Sequence, residues 1–291
     1  LGPTVFYTVA TLFLLSAGSR AADPPEVTKS YDLLFASHGG TELKLDLVQP
    51  AGAGPFPAVL VIHGGAWREG DKEENHKLLT DFARRGYVAA SPQYRFAPKD
   101  RFPAQILDVK AAVRWLRANA KDLRVDAEHF GAMGFSAGAH LALMLGLTGP
   151  EDGFEGDAAG SAPSSRVQAV VSFFAPTDLA DPKLSEFGRS LVRDFLGGTA
   201  AEKPAAARKS SPVTYVSRGD APVLIFQGTK DPLVPYTQAV KLTEALTAAG
   251  VPGRVELLVG SGHGWQGEEF ERTMEETFEF FDRNLKLAPA R

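Results

Sequence analysis

The sequence predicts an α/β fold: a mostly parallel central sheet with helices on both faces and a small inserted cap. Three observations carry the expectation. Strand-like and helix-like segments alternate from residue 58 to the C-terminus. The strand-like segments are short, continuously apolar runs, the pattern of strands covered on both faces. The helix-like segments repeat apolar residues at intervals of three and four.

Taken in order, Tyr31–Phe35 and Leu43–Leu47 alternate as two short strands around a His38-Gly39-Gly40 turn. Pro50–Pro57 is a Pro/Gly/Ala loop, and Ala58–Ile62 is an uninterrupted apolar strand. Helical spacing covers Lys77–Arg85, with Gly86 as its stop, and Tyr87–Ser91 is a second buried strand. Pro103–Lys121 places Ile106, Val109, Val113 and Leu116 on one helical face. Phe130–Gly134 is a short strand and Ala137–Leu147 an apolar helix. Strands at Val167–Phe174, Val223–Gln227 and Val255–Val259, with helices at Thr237–Ala249 and Phe270–Leu285, complete the alternation. Two segments interrupt it and predict small inserts or a cap: 149–166, rich in Gly, Ala and Ser, and 181–212, which contains the amphipathic piece Leu184–Leu196. No repeat or linker divides residues 23–291, so one domain is expected there.

Composition narrows the function. The chain has 291 residues, 44% hydrophobic, which suits one large core. Net charge is -4 and no basic stripe is present, which argues against nucleic acid as a partner. There is no cysteine, so disulfides, thiol nucleophiles and cysteine metal sites are excluded. Residues Val5–Leu15 are mostly apolar, and Ser19-Arg20-Ala21 offers a small-residue cleavage site. Residues 1–22 are therefore expected to be a signal peptide, and the mature protein to be secreted or periplasmic without stable membrane association.

Gly134-Phe135-Ser136-Ala137-Gly138 is a Gly-x-Ser-x-Gly pentapeptide between a predicted strand and a predicted apolar helix. A serine on such a tight turn needs small neighbours, and the helix N-terminus behind it favours developing negative charge. Ser136 is the expected nucleophile. His63-Gly64-Gly65-Ala66-Trp67 follows the buried strand ending at Ile62, where backbone N–H groups are expected to form an oxyanion hole. The donors expected by position are Gly65, Ala66 and Ala137. Gly64 and Trp67 are expected at the substrate; Trp67 fits a wall of the acyl pocket and a packed position equally well. His63 reads as a residue shaping the loop.

Of the six histidines, His263 in Ser261-Gly262-His263-Gly264 follows the last strand pattern, a position suited to a general base. Asp231, after the strand Val223–Gln227, is the expected acid that orients it. Asp178, after the preceding strand, is the competitor; as a turn aspartate it needs no catalytic role. His140, one turn into the helix after Ser136, is expected to pack or cap.

On these residues the chain resembles α/β-hydrolase esterases close to the acetyl-esterase/acetylxylan-esterase (BD-FAE-like) and hormone-sensitive-lipase groups. The resemblance runs from about Val59 to the C-terminus. It rests on the His63–Trp67 and Gly134–Leu141 segments, on Tyr94-Arg95-Phe96-Ala97-Pro98, on Phe102–Gln105 with Asp108, on Ser211–Tyr215, on Gln227–Pro235 and on Gly262-His263-Gly264. Ala66 stands where hormone-sensitive-lipase relatives usually have a third glycine, and Ala139 replaces the usual second glycine after the pentapeptide. The resemblance implies an α/β-hydrolase fold and hydrolysis of short-chain carboxylic esters, on plant polysaccharide or other small soluble molecules, without cofactor or metal. Rival readings are an arylformamidase or small serine peptidase using the same residues, and a non-catalytic binding protein.

Overall fold

The computed structural model describes residues 25–156 and 163–286. The segment expected to be a signal peptide, residues 1–22, lies outside them, as does part of the first insert. Among the described residues eight strands form one sheet: β1 (Val27–His38), β2 (Thr41–Pro50), β3 (Phe56–Ile62), β4 (Val88–Pro92), β5 (Val125–Phe135), β6 (Ala169–Phe173), β7 (Val223–Gly228) and β8 (Gly253–Leu258). Their order is β1-β2-β4-β3-β5-β6-β7-β8. β1 and β2 pair antiparallel, β2 meets β4 antiparallel, and all neighbours from β4 to β8 are parallel.

The inner parallel strands β3, β4, β6 and β7 are mostly apolar because each serves two cores. Ala58, Leu60 and Ile62 of β3 face one layer, and Val59 and Val61 face the other. The first layer takes in helices α2 (Ala104–Ala118), α3 (Ala137–Leu147) and α6 (Thr237–Ala249), through Ile106, Val113, Leu141 and Leu242. The second takes in α1 (His76–Arg84) and α7 (Glu268–Leu285), through Leu79, Phe82, Phe278 and Phe281. This is the α/β-hydrolase arrangement expected, and it leaves α3 buried along its whole length.

The outer ribbon is longer than its alternation indicated. Most of β1 is exposed or half-buried, so backbone pairing to β2 rather than apolar burial maintains it. A break between Ser30 and Leu33 obscures the period, and Asp32 there, at φ 58°, donates its N–H to Asp46 Oδ1 at 2.9 Å. β5 likewise starts at Val125, which pairs with Phe56, ahead of the Phe130 expected. Val259, placed in the last strand by its hydrophobicity, is 91% exposed just beyond β8.

The two inserts differ. The second forms α4 (Glu186–Leu196) and α5 (Pro204–Lys209). Ser185 caps α4 by accepting from Gly188 N–H, and Val192, Phe195 and Leu196 bury its inner face. The described part of the first insert is tied to α2 instead: Lys110 Nζ donates to Glu155 Oε1 at 2.9 Å and to Ser165 Oγ at 3.0 Å.

Candidate active site

Ser136 stands at the turn from β5 into α3 with φ 52° and ψ −117°, a backbone region costly for any residue with a side chain. Close packing explains its glycine neighbours. A Cβ on Gly134 would lie 2.4 Å from the Gly138 carbonyl carbon, and one on Gly138 would lie 2.2 Å from Ile62 O. Neither clash has a flexible side chain to absorb it, so the pentapeptide admits no bulk at these positions.

The structure brings the three expected side chains together. Ser136 Oγ lies 2.9 Å from His263 Nε2, and His263 Nδ1 lies 2.7 Å from Asp231 Oδ2. A carboxylate oxygen accepts, so Nδ1 carries the proton and Nε2 is the acceptor facing the serine. The Asp231 carboxylate is fully buried. Its Oδ1 accepts from Leu233 N–H at 2.8 Å and Val234 N–H at 2.9 Å, and its Oδ2 accepts from Gln227 Nε2 at 3.0 Å. Asp178 pairs with Lys241 and accepts from Ala180 N–H, a turn aspartate away from the imidazole.

The loop after β3 passes directly over the serine, with Gly64 so close that a Cβ would stand 3.1 Å from Phe135 O. Gly65, at φ 101°, would place a Cβ 1.9 Å from Glu69 O. Ala66 and Trp67 follow at φ 52° and 60°. Tyr94 holds this loop, its hydroxyl positioned to donate to His63 O at 3.1 Å and Gly64 O at 2.9 Å. Asp108 in turn holds the tyrosine's segment, gripping the Arg95 guanidinium and accepting from Arg95 N–H at 2.8 Å. His63 Nδ1 lies 2.8 Å from Gly64 O, and its ring stacks on Tyr94 with centroids 4.4 Å apart. Burial pushes its pKa down. Among the described residues, the N–H groups of Gly65, Ala66 and Ala137 make no backbone hydrogen bond. For Ala137 this follows from its place in the first turn of α3.

Two spaces meet at Ser136 and His263. One is an open cleft of about 460 Å³, lined by His63, Gly64, Gly65, Arg68, Glu69 and Glu74 on one side and by Phe187 and Leu191 of α4 on the other. The second is a small pocket of about 40 Å³ lined by Ala66, Trp67, Ala137, Pro176, Val192 and Val234. Trp67 is the packed residue its position allowed, and it also lines the small pocket. It is buried and stacked on Phe195 with centroids 4.2 Å apart. None of the described residues of the first insert lines either space.

Sequence reasoning missed Gln227, Phe174, Phe187 and Leu191. Gln227 carried a weak signal, as a polar residue ending an apolar strand. Phe174 sits with its ring 4.7 Å from that of His263. The α4 residues gave no signal, because the direction of the helix relative to the serine is a tertiary fact. The remaining histidines are engaged elsewhere: His76 with Asp46, His129 with Asp126 and His38 near Asp108.

A serine on a strand-to-helix turn, hydrogen-bonded through an imidazole to a buried carboxylate above a mostly parallel sheet, defines a serine hydrolase of the α/β-hydrolase class. Within that class the chain belongs to the BD-FAE family, whose model matches residues 45–246. It is 33% identical to esterase LipC of Mycobacterium tuberculosis over 75% of this chain and 55% of LipC, so it spans about half of that relative. Among solved structures it is similar to a carbohydrate esterase from gut microbiota, in truncated form, at TM-score 0.77 and 27% identity, covering 91% of this chain and 99% of the other. It is also similar to the thermophilic esterase Est2 of Thermogutta terrifontis. The propionate-bound form matches at TM-score 0.74 and 27% identity over 92% and 97% of the two chains. The form phosphonylated by sarin matches at TM-score 0.78 and 26% identity over 91% and 97%.

Proposed function

We propose that the chain is a carboxylesterase that removes short, acetyl-like acyl groups from small soluble molecules, carbohydrate esters among them, through an acyl-enzyme. The observation that carries this reading is the pocket of about 40 Å³ beside Ser136, a size that suits a short acyl group better than a long one. The carbohydrate esterase and the propionate-bound esterase among its structural relatives support the same direction.

In this mechanism Ser136 Oγ attacks the ester carbonyl while His263 Nε2 takes its proton. Asp231 holds the imidazole and stabilises its positive charge. The N–H groups of Gly65, Ala66 and Ala137 receive the oxyanion as the tetrahedral centre forms. His263 then protonates the departing alcohol, and water repeats the sequence to release the acid. Trp67 and the pocket around it orient the acyl group, while Gly64 lets the ester approach.

The test is a set of initial rates on p-nitrophenyl acetate, butyrate, octanoate and laurate, beside acetylated xylan and N-formylkynurenine, with Ser136→Ala as control. A steep fall beyond butyrate, with acetate released from xylan, is the expected result. A preference for octanoate, or activity on the formamide alone, would overturn the substrate class. The proposal extends to export, from the apolar stretch before Ser19-Arg20-Ala21. Recovery of protein with residues 1–22 still attached would overturn that part.

A further inference from the structure

We propose that Phe187 is the stacking platform for a sugar ring on the alcohol side of the ester, so that α4 sets a preference for carbohydrate esters over esters of simple alcohols. The inference rests on the carboxylesterase reading above and deepens it. Two spaces flanking one serine divide the substrate. The small pocket suits the acyl group, which leaves the open cleft of about 460 Å³ for the alcohol.

That cleft has two unlike walls. Phe187 and Leu191, one helical turn apart on α4, present an apolar face to it. Phe187 is 52% exposed, although Val192, Phe195 and Leu196 of the same helix are buried. Nothing in the packing of α4 requires an aromatic there, since its inner face is already filled. The facing wall is charged, with Arg68, Glu69 and Glu74 on the loop that carries the oxyanion donors and on the segment after it. Arg68 reaches Asp194 of α4 at 3.7 Å, which ties the two walls together.

A pyranose matches such a cleft. Its C–H face packs on an aromatic ring, and its rim of hydroxyls needs donors and acceptors on the other side. A long alkyl alcohol would leave the carboxylates of Glu69 and Glu74 facing hydrocarbon, which is costly. A small alcohol such as ethanol would reach neither wall. Phe187 is thus a specificity residue of the alcohol side, not part of the proton-transfer machinery.

The experiment compares kcat and KM for acetylated xylo-oligosaccharides and for ethyl acetate in the native protein, Phe187→Ala and Phe187→Trp. In Phe187→Ala the ratio of kcat/KM for the oligosaccharide to that for ethyl acetate is expected to fall by about threefold to tenfold, with the loss in KM. Phe187→Trp should restore the ratio. An unchanged ratio in Phe187→Ala, in a protein whose native form cleaves the oligosaccharide, would overturn the role of Phe187 and leave the esterase reading standing. A native protein that cleaves ethyl acetate but not the oligosaccharide would overturn the carbohydrate reading and this inference with it.

Discussion

The indole N–H of Trp67 donates to Nδ1 of His140 at 3.2 Å, joining the loop after β3 to α3, the helix that follows Ser136. That bond fixes the imidazole. Nδ1 holds the lone pair, so Nε2 carries the proton and donates to Ser210 O at 2.7 Å, just after α5. Loop, nucleophile helix and cap insert are therefore joined by one neutral, buried histidine. Burial holds its pKa down at about 4, against 6.5 for a free imidazole.

This gives a pH dependence of stability. Between pH 6.5 and about 4 the unfolded chain binds a proton at His140 that the folded chain refuses. Stability is therefore lost as pH falls through that window, by about 3 kcal/mol in total. Urea unfolding at several pH values, for the native protein and His140→Leu, measures it. The variant should be less stable at neutral pH, and its stability should change less across the window. An identical slope in both proteins would remove His140 as the cause.

Asp231 and Gln227 make a graded pair. Asp231→Asn is expected to lower kcat on p-nitrophenyl acetate by about a thousandfold or more, through loss of the correct imidazole tautomer and its charge. Gln227→Leu removes one of the hydrogen bonds to the carboxylate and should cost about tenfold. Asp178→Asn, whose carboxylate faces Lys241, should stay within about twofold of the native rate. A larger loss from Asp178→Asn than from Asp231→Asn would reverse the assignment of the acid.

Leu191 borders both the small pocket and the open cleft. Leu191→Ala should open one into the other and raise the butyrate-to-acetate ratio of kcat/KM by about tenfold, the scale of a methylene or two in an apolar site. If the ratio holds constant, this leucine does not limit the acyl group.

Lys110 is fully buried on α2 and is held by Glu155, Ser165 and the Thr148 carbonyl, with Arg114 on the other Glu155 oxygen. Lys110→Met breaks a buried pair while leaving Glu155 in place, and should destabilise the fold by about 3 kcal/mol. The urea midpoint reads this directly. The rate on p-nitrophenyl acetate below the transition should change little, because these residues border neither space at Ser136.

What the sequence by itself determined was local. The two-sided strands were legible at β3, β4, β6 and β7, because a strand between two helical layers buries both faces and is apolar at most positions. The elbow at Ser136 was legible because the glycines at 134 and 138 answer clashes with backbone only a few positions away or on the adjacent strand. The tertiary structure alone decided the rest. Ser136 and His263 are 127 positions apart, and only the sheet order brings them within hydrogen-bond reach. The sequence favoured Asp231 over Asp178, and the contact of Asp231 with His263, with Asp178 turned to Lys241, is a fact of the tertiary structure. The outer ribbon showed its alternation only in part, and the closure of α4 over the serine and the bond from Trp67 to His140 left no periodic trace, since each depends on packing between distant segments rather than on the order of residues within one.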